Sequence, residues 1–200
     1  MHYGPKPLFA VLTIRQQRFY RNNEAFYQRA IDLDPTNVYA IDSFGAIHLE
    51  SGEWDRAMSE FRTAYQLGPS DPNAIYNLAH GFFEAKQYAD AEPLFKQVAN
   101  SPQLESRRKS MLLALADIEI SLGSFSSGQD VLQELEQLDP RFPALHRTLG
   151  ILFQKESRIR EAQVEYHREF QVSGDMQAEG QAIALERLLS SPPRFAKTDQ

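Results

Sequence analysis

The stretch WDRAMSEF, residues 54–61, decides the fold, because it returns three times with its spacing intact. It comes back as YADAEPLF at 88–95, FSSGQDVL at 125–132 and IREAQVEY at 159–166. Each copy sets a large residue, a small one three positions on, and a second large one four positions beyond that. These are Trp54, Ala57, Phe61; Tyr88, Ala91, Phe95; Phe125, Gly128, Leu132; and Ile159, Ala162, Tyr166, offset by 34, 37 and 34 residues. Ten residues upstream of each copy stands a second pair, large then small: Phe44-Gly45, Leu78-Ala79, Leu115-Ala116 and Leu149-Gly150. Two markers that keep register over four copies define an internal repeat.

Within each copy apolar residues recur at three- and four-residue spacing over two segments of about a dozen residues, which predicts a pair of helices. The break inside the pair falls at Ser51-Gly52, Ala85-Lys86, Leu122-Gly123-Ser124 and Glu156-Ser157, mostly turn chemistry. The second helix stops at Asp34-Pro35, Gly68-Pro69, Ser101-Pro102 and Asp139-Pro140, since proline lacks the amide donor and biases its predecessor away from the helix. The small residues have a mechanical role: where helices cross, a side chain larger than Ala or Gly holds the backbones apart. Trp54, Phe61, Phe95, Phe125 and Tyr166 are then expected to fill the space between layers.

On these residues the chain resembles the tetratricopeptide repeat, a 34-residue unit with a large-Leu-Gly-aromatic first helix and an Ala-x-x-x-Phe second helix closed by Pro. Residues 38–71 match best, through Phe44, Gly45, Ala57, Phe61, Ala64 and Pro69; residues 72–108 match through Leu78, Ala79, Phe82, Ala91, Phe95 and Val98. Residues 143–176 match through Leu149, Gly150, Phe153, Ala162 and Tyr166. Residues 109–142 diverge, with Glu119 at a usual aromatic place and Gly128 where Ala is usual, which lowers helix propensity by about 1 kcal/mol. Three extra residues in the 102–109 region precede that copy.

The resemblance implies an all-α fold, a right-handed superhelical solenoid of antiparallel helix pairs. Its expected organisation is a degenerate N-terminal repeat at 1–37, repeats at 38–71, 72–108, 109–142 and 143–176, a capping helix at 177–190 and a disordered tail at 191–200. In the first repeat, Tyr27 and Ala30 fit the second-helix pattern and the first helix is expected within Leu8–Gln17. Ala178, Ala182, Leu185 and Leu189 give the capping helix one apolar face, which a solenoid needs to cover its last repeat.

Composition narrows function. A formal net charge of −6, with sixteen acids against eight bases over residues 38–142, disfavours nucleic acid, whose binders neutralise phosphates with Lys and Arg. With no cysteine there is no disulfide framework and no thiolate chemistry. The apolar run Leu8–Ile14 lacks a charged start and a cleavage site, so a signal peptide is not expected. No stretch approaches the roughly 20 apolar residues of a membrane span. A cytoplasmic location is expected on those grounds.

Candidate chemistry is sparse. The five histidines His2, His48, His80, His146 and His167 form no close pair with metal spacing, and His48 occupies an aromatic core place of its repeat. No phosphate-cradling GxGxxG or GxxxxGK and no GxSxG elbow occurs. The expectation is a chain that is no enzyme, with no cofactor and no metal. The leading reading is a protein-interaction scaffold or adaptor that binds a peptide or helix of a partner protein in its concave groove. The alternative is a targeting or regulatory repeat segment of a larger multidomain enzyme.

In the resembled family the first helix of each unit lines the concave face, on the side opposite the large-small pair. That implies a groove of Tyr39, Asp42, Asn73, Tyr76, His80, Phe83, Glu84, Leu113, Asp117, Arg147 and Ile151, with Glu50, Ile120 and Lys155 beside them. Tyr39, Tyr76, Phe83, Leu113 and Ile151 either anchor a ligand there or pack against neighbouring helices. Flanked by Asp42, Glu84 and Asp117, an open groove suits an apolar and basic segment. One branch of the family grips the carboxylate of Hsp70 and Hsp90 C-terminal tails with Lys, Asn and Arg. The matching places here are Asp42, Ala46, Asn77, Ser110 and Ala114, of which only Asn77 fits, so no binding to those tails is expected.

Overall fold

The computed structural model describes residues 23–190; the helix expected within Leu8–Gln17 and the tail expected at 191–200 lie outside them. Among the described residues there are ten α-helices and no strand. The chain divides into two compact units, one up to Leu104 and one from Glu105.

The first unit holds α1 (23–33), α2 (Val38–Glu50), α3 (Trp54–Leu67), α4 (Pro72–Glu84) and α5 (Tyr88–Val98). Side-chain caps start the first helices of its pairs. Asn37 Oδ1 accepts from the amide of Ala40 at 3.0 Å, and Asp71 Oδ1 accepts from Asn73 and Ala74 at 2.9 and 3.1 Å, satisfying donors with no intrahelical partner. Pro72 takes the first position of α4, where its missing amide costs nothing. The α2–α3 and α4–α5 pairs then close on the small residues. A Cβ on Gly45 would stand 2.7 Å from the Phe61 ring, and Ala57, Ala64, Ala74, Ala79 and Ala91 are all fully buried. Phe61 and Phe95 are 1% and 0% exposed, each worth roughly 1.5–3 kcal/mol of burial. Trp54 packs on the Ala57–Met58–Phe61–Leu78 cluster.

Pro102–Arg107 form a short 3₁₀ helix, taking up residues of the sequence insertion. The second unit follows with α6 (Arg108–Leu122), α7 (Phe125–Leu138), α8 (Leu145–Lys155), α9 (Ile159–Ser173) and α10 (Met176–Ser190). Gly150 repeats the role of Gly45, with a Cβ there falling 2.8 Å from the Tyr166 ring. In the divergent copy the missing methyl of Gly128 leaves room for Ile120 and Glu119, and Glu119 is buried at 2% exposure. Ala178, Ala182 and Leu185 seal α10 onto Ala162 and Tyr166, whereas Leu189 stays 41% exposed.

The turn inside each helix pair is the same object four times. Gly52, Lys86, Gly123 and Ser157 take left-handed φ of 78°, 58°, 83° and 62°. The residue after each donates its amide five positions back: Glu53 to His48, Gln87 to Phe82, Ser124 to Glu119 and Arg158 to Phe153, at 2.8 to 2.9 Å. This reversal satisfies orphan carbonyls at the end of the first helix and aims the second back along it.

Candidate protein-interaction surface

In the first unit the expected residues lie on α2 and α4. Tyr39 is 69% exposed, its ring 6.3 Å from that of Tyr27 on α1. Asp42 departs from the expected exposed acid: it is 6% exposed, and its Oδ2 accepts from Asn77 Nδ2 at 2.7 Å. The bond ties α2 to α4, and a buried acid stays in place only when hydrogen-bonded in this way. Asn73 is exposed in the first turn of α4.

Along α4, Tyr76, His80 and Phe83 are half-buried. The Tyr76 and His80 rings stack at 6.0 Å, and His80 and Phe83 lie 6.5 Å apart. Phe95 of α5 is their floor, meeting Tyr76 edge-on at 5.9 Å and Phe83 at 6.4 Å. Phe83 also touches Tyr88 at 6.0 Å. Tyr76 and Phe83 therefore pack on the core through Phe95 and still show part of themselves to solvent. Glu84, exposed, places Oε1 3.7 Å from His80 Nε2, so the aromatic row ends in an acid.

In the second unit Leu113 and Ile151 are partly buried and pack against the α6–α7–α8 core, so packing accounts for much of their surface. Asp117 of α6 faces Thr148 and Arg147 of α8. Burial pushes its carboxyl above the usual carboxylate range, while the Thr148 hydrogen bond and the Arg147 charge pull the other way. Arg147 also reaches Asp175 at 3.4 Å.

Sequence reading missed a second set of polar contacts. His146 Nδ1 lies 2.8 Å from Glu165 Oε2, and its Nε2 lies 3.1 Å from the Pro140 carbonyl. Glu169, 2% exposed, accepts from the amides of Ala144 and Arg147 at 3.2 and 3.3 Å. It caps α8 where Ala144 offers no side chain to do so. The signal was present: Glu165 and Glu169 share the helical face of Ala162 and Tyr166, three and seven positions after the buried alanine. His48 is a core histidine, 5% exposed and 2.7 Å from Glu60.

Among the described residues no group of three or more His, Asp or Glu side chains is placed to hold a metal ion, and no helix is long and apolar enough to cross a membrane.

The family model of the tetratricopeptide repeat matches residues 48–116, which span the α2–α3 turn, the α3 and α4–α5 elements and much of α6. Over these residues the chain matches the tetratricopeptide repeat. The TPR repeat-containing protein YpiA of Bacillus subtilis (strain 168) is 25% identical over 132 residues, covering 66% of this chain. The chain spans 30% of the length of that relative. Among solved structures, YrrB, described as a TPR protein with an unusual peptide-binding site, superposes with a TM-score of 0.72 at 14% identity, over 88% of this chain and 87% of that one. PilF of Pseudomonas aeruginosa gives 0.71 at 17% identity, over 89% and 80%. PilW, a type IV pilus biogenesis factor, gives 0.70 at 17%, over 95% and 93%. At these identities the likeness is one of fold. Tetratricopeptide repeats are protein-interaction modules, and the fold class of this chain, an all-helical repeat solenoid, is theirs.

Proposed function

We propose that the chain is a non-catalytic scaffold that takes a peptide or helix of a partner protein on the first-helix faces of its repeats, chiefly α4. The observation that carries this reading is the half-buried row Tyr76, His80 and Phe83, with Tyr76 and Phe83 packed on Phe95 and the row closed by Glu84. Rings fixed from beneath lose little side-chain entropy on binding, so such a row anchors an apolar segment efficiently. Exposed Tyr39 adds a further aromatic surface in the same unit. With Asp42 turned into its bond to Asn77, the acidic element of this face is Glu84, assisted by Glu50 at the end of α2. A ligand with apolar side chains and a Lys or Arg suits it; an acidic tail of the Hsp70 and Hsp90 kind does not, because Glu84 repels it. In the second unit Asp117, Arg147 and partly covered Leu113 and Ile151 serve the same role with mixed charge.

A selection of random displayed peptides on the full chain tests this. Enriched sequences should pair aromatic or aliphatic residues with Lys or Arg. Their affinity should fall by roughly 2 kcal/mol or more in the double variant Tyr76→Ala, Phe83→Ala. Because both rings rest on Phe95, Glu84→Lys is the companion variant that leaves packing alone and should weaken the same peptides. Enrichment of acidic peptides, or binding indifferent to both variants, contradicts the proposal.

A further inference from the structure

The repeats at 38–71 and 143–176 keep the same inward acid and differ in what neutralises it. Glu60 stands one place before Phe61, and Glu165 one place before Tyr166. Both oxygens of Glu165 are taken: His146 Nδ1 lies 2.8 Å from Oε2, and Arg168 Nη1 donates to Oε1 at 2.9 Å. Glu60 has the histidine without the arginine. His48 Nδ1 lies 2.7 Å from its Oε2, but Thr63 stands in the place of Arg168, and its hydroxyl donates to the Ser59 carbonyl. Among the described residues nothing donates to Glu60 Oε1.

Glu60 lines a hollow of about 360 Å³, with Glu24 and Gln28 of α1 on one side, Arg56 of α3 beside it, and Phe44 and His48 of α2 beneath. His48 is 5% exposed. With the Nδ1 proton on the Glu60 bond, its Nε2 is left an acceptor, and it has no partner among the described residues. Arg56 is turned to Glu53 Oε2 at 2.6 Å. Gln28, His48, Arg56 and Glu60 make all their hydrogen bonds and ion pairs with described residues. Burial pushes the Glu60 carboxyl above the usual carboxylate range, and Glu53 adds to the rise. The His48 bond and the His48 and Arg56 charges pull it back only in part, so the hollow is short of positive charge.

We propose that this hollow takes the guanidinium of an arginine side chain from a partner protein, which supplies to Glu60 the donor that Arg168 supplies to Glu165. Arginine fits better than lysine because the acceptors are spread over three helices: Glu24 and the Gln28 amide oxygen on α1, His48 Nε2 on α2 and Glu60 Oε1 on α3. A planar fork with five N–H donors reaches several of them together. The ring at this place already meets a guanidinium in the other repeat. Phe153, three after Gly150 as His48 is three after Gly45, lies 4.2 Å under the Arg158 guanidinium carbon. None of these residues belongs to the α4 row, so the two sites stand or fall independently.

The probe is a capped Gly-Ser peptide with one central arginine, titrated into the isotope-labelled full chain beside the same peptide carrying citrulline. The arginine peptide should shift the His48 ring resonances saturably. Citrulline keeps the shape and loses the charge, and should bind about tenfold more weakly. Glu24→Gln should weaken the arginine peptide about threefold, and Thr63→Arg should abolish its binding by installing the cation that Arg168 provides in the other repeat. Both positions are exposed, so circular dichroism should match the parent chain. Equal binding of the two peptides, no saturable shift at His48, or unchanged binding in Thr63→Arg overturns the proposal. Binding that appears only in Arg56→Ala overturns it too, since Arg56 would then be the occupant.

Discussion

Gly45 and Phe61, sixteen positions apart, meet face to face: a Cβ on Gly45 would lie 2.7 Å from Cε1 of the Phe61 ring. Gly150 and Tyr166 repeat the contact at the same spacing and 2.8 Å. These pairs set how closely the two helices of a repeat approach. Gly45→Val and Gly150→Val should each destabilise the fold by about 1–3 kcal/mol through overpacking, read as a shift in the urea midpoint. An unchanged midpoint would mean that the helices tolerate wider separation.

The four left-handed turn residues differ in cost. Gly52 and Gly123 adopt positive φ without penalty, whereas Lys86 and Ser157 hold it against their own Cβ. Replacing Gly52 or Gly123 by Ala should cost about 1 kcal/mol, and Lys86→Gly or Ser157→Gly should gain about 0.5–1 kcal/mol. Thermal melts of the four single variants check the opposite signs.

His146 gives the second unit a pH dependence. Its two ring nitrogens face a carboxylate and a carbonyl, both acceptors, so only the imidazolium satisfies them together. The hydrogen bond that the ring donates to Glu165 raises its pKa above the ordinary 6.5, against the effect of burial, with smaller help from the Glu165 charge, the Pro140 carbonyl and Glu136. A folded-state pKa above the unfolded one means that the stabilisation is full below about pH 6.5 and fades as pH rises through the folded value. Stability measured across that window should fall with pH, and His146→Gln should flatten the slope. A parent chain whose stability rises over the same window contradicts this assignment.

Asp117 shifts in the same direction, and near neutral pH that shift is a cost. Burial raises its carboxyl above the ordinary 3.8, so the folded chain favours the protonated form and bears a cost once the group ionises. Asp117→Asn keeps an acceptor for Thr148 and should be neutral or stabilising near pH 7. The same variant should weaken any basic ligand of that face, and a clear loss of stability would show that the Arg147 attraction outweighs burial.

The paired helices and their turns were legible because sterics leaves a periodic trace: each small residue and each left-handed turn recurs at the repeat spacing. The faces were harder to read. Asp42 looked like a surface acid because its partner, Asn77, comes from the next repeat, and a hydrogen bond between helices imposes no periodicity. Tyr76 and Phe83 fitted a ligand anchor and a packing residue equally well, and the structure shows why, since each ring uses one side on Phe95. Glu165 and Glu169 look solvated in sequence because acids on a helix usually are; only their shared face with Ala162 and Tyr166 marks them as inward.

Chemical-shift mapping of a selected apolar and basic peptide on the isotope-labelled chain tests the central claim most directly. Perturbations should concentrate on Tyr76, His80, Phe83 and Glu84 of α4, reach Tyr39, and vanish in Tyr76→Ala, Phe83→Ala while the remaining spectrum stays dispersed. Perturbations confined to the exposed sides of α3 and α5, with α4 silent, would contradict it.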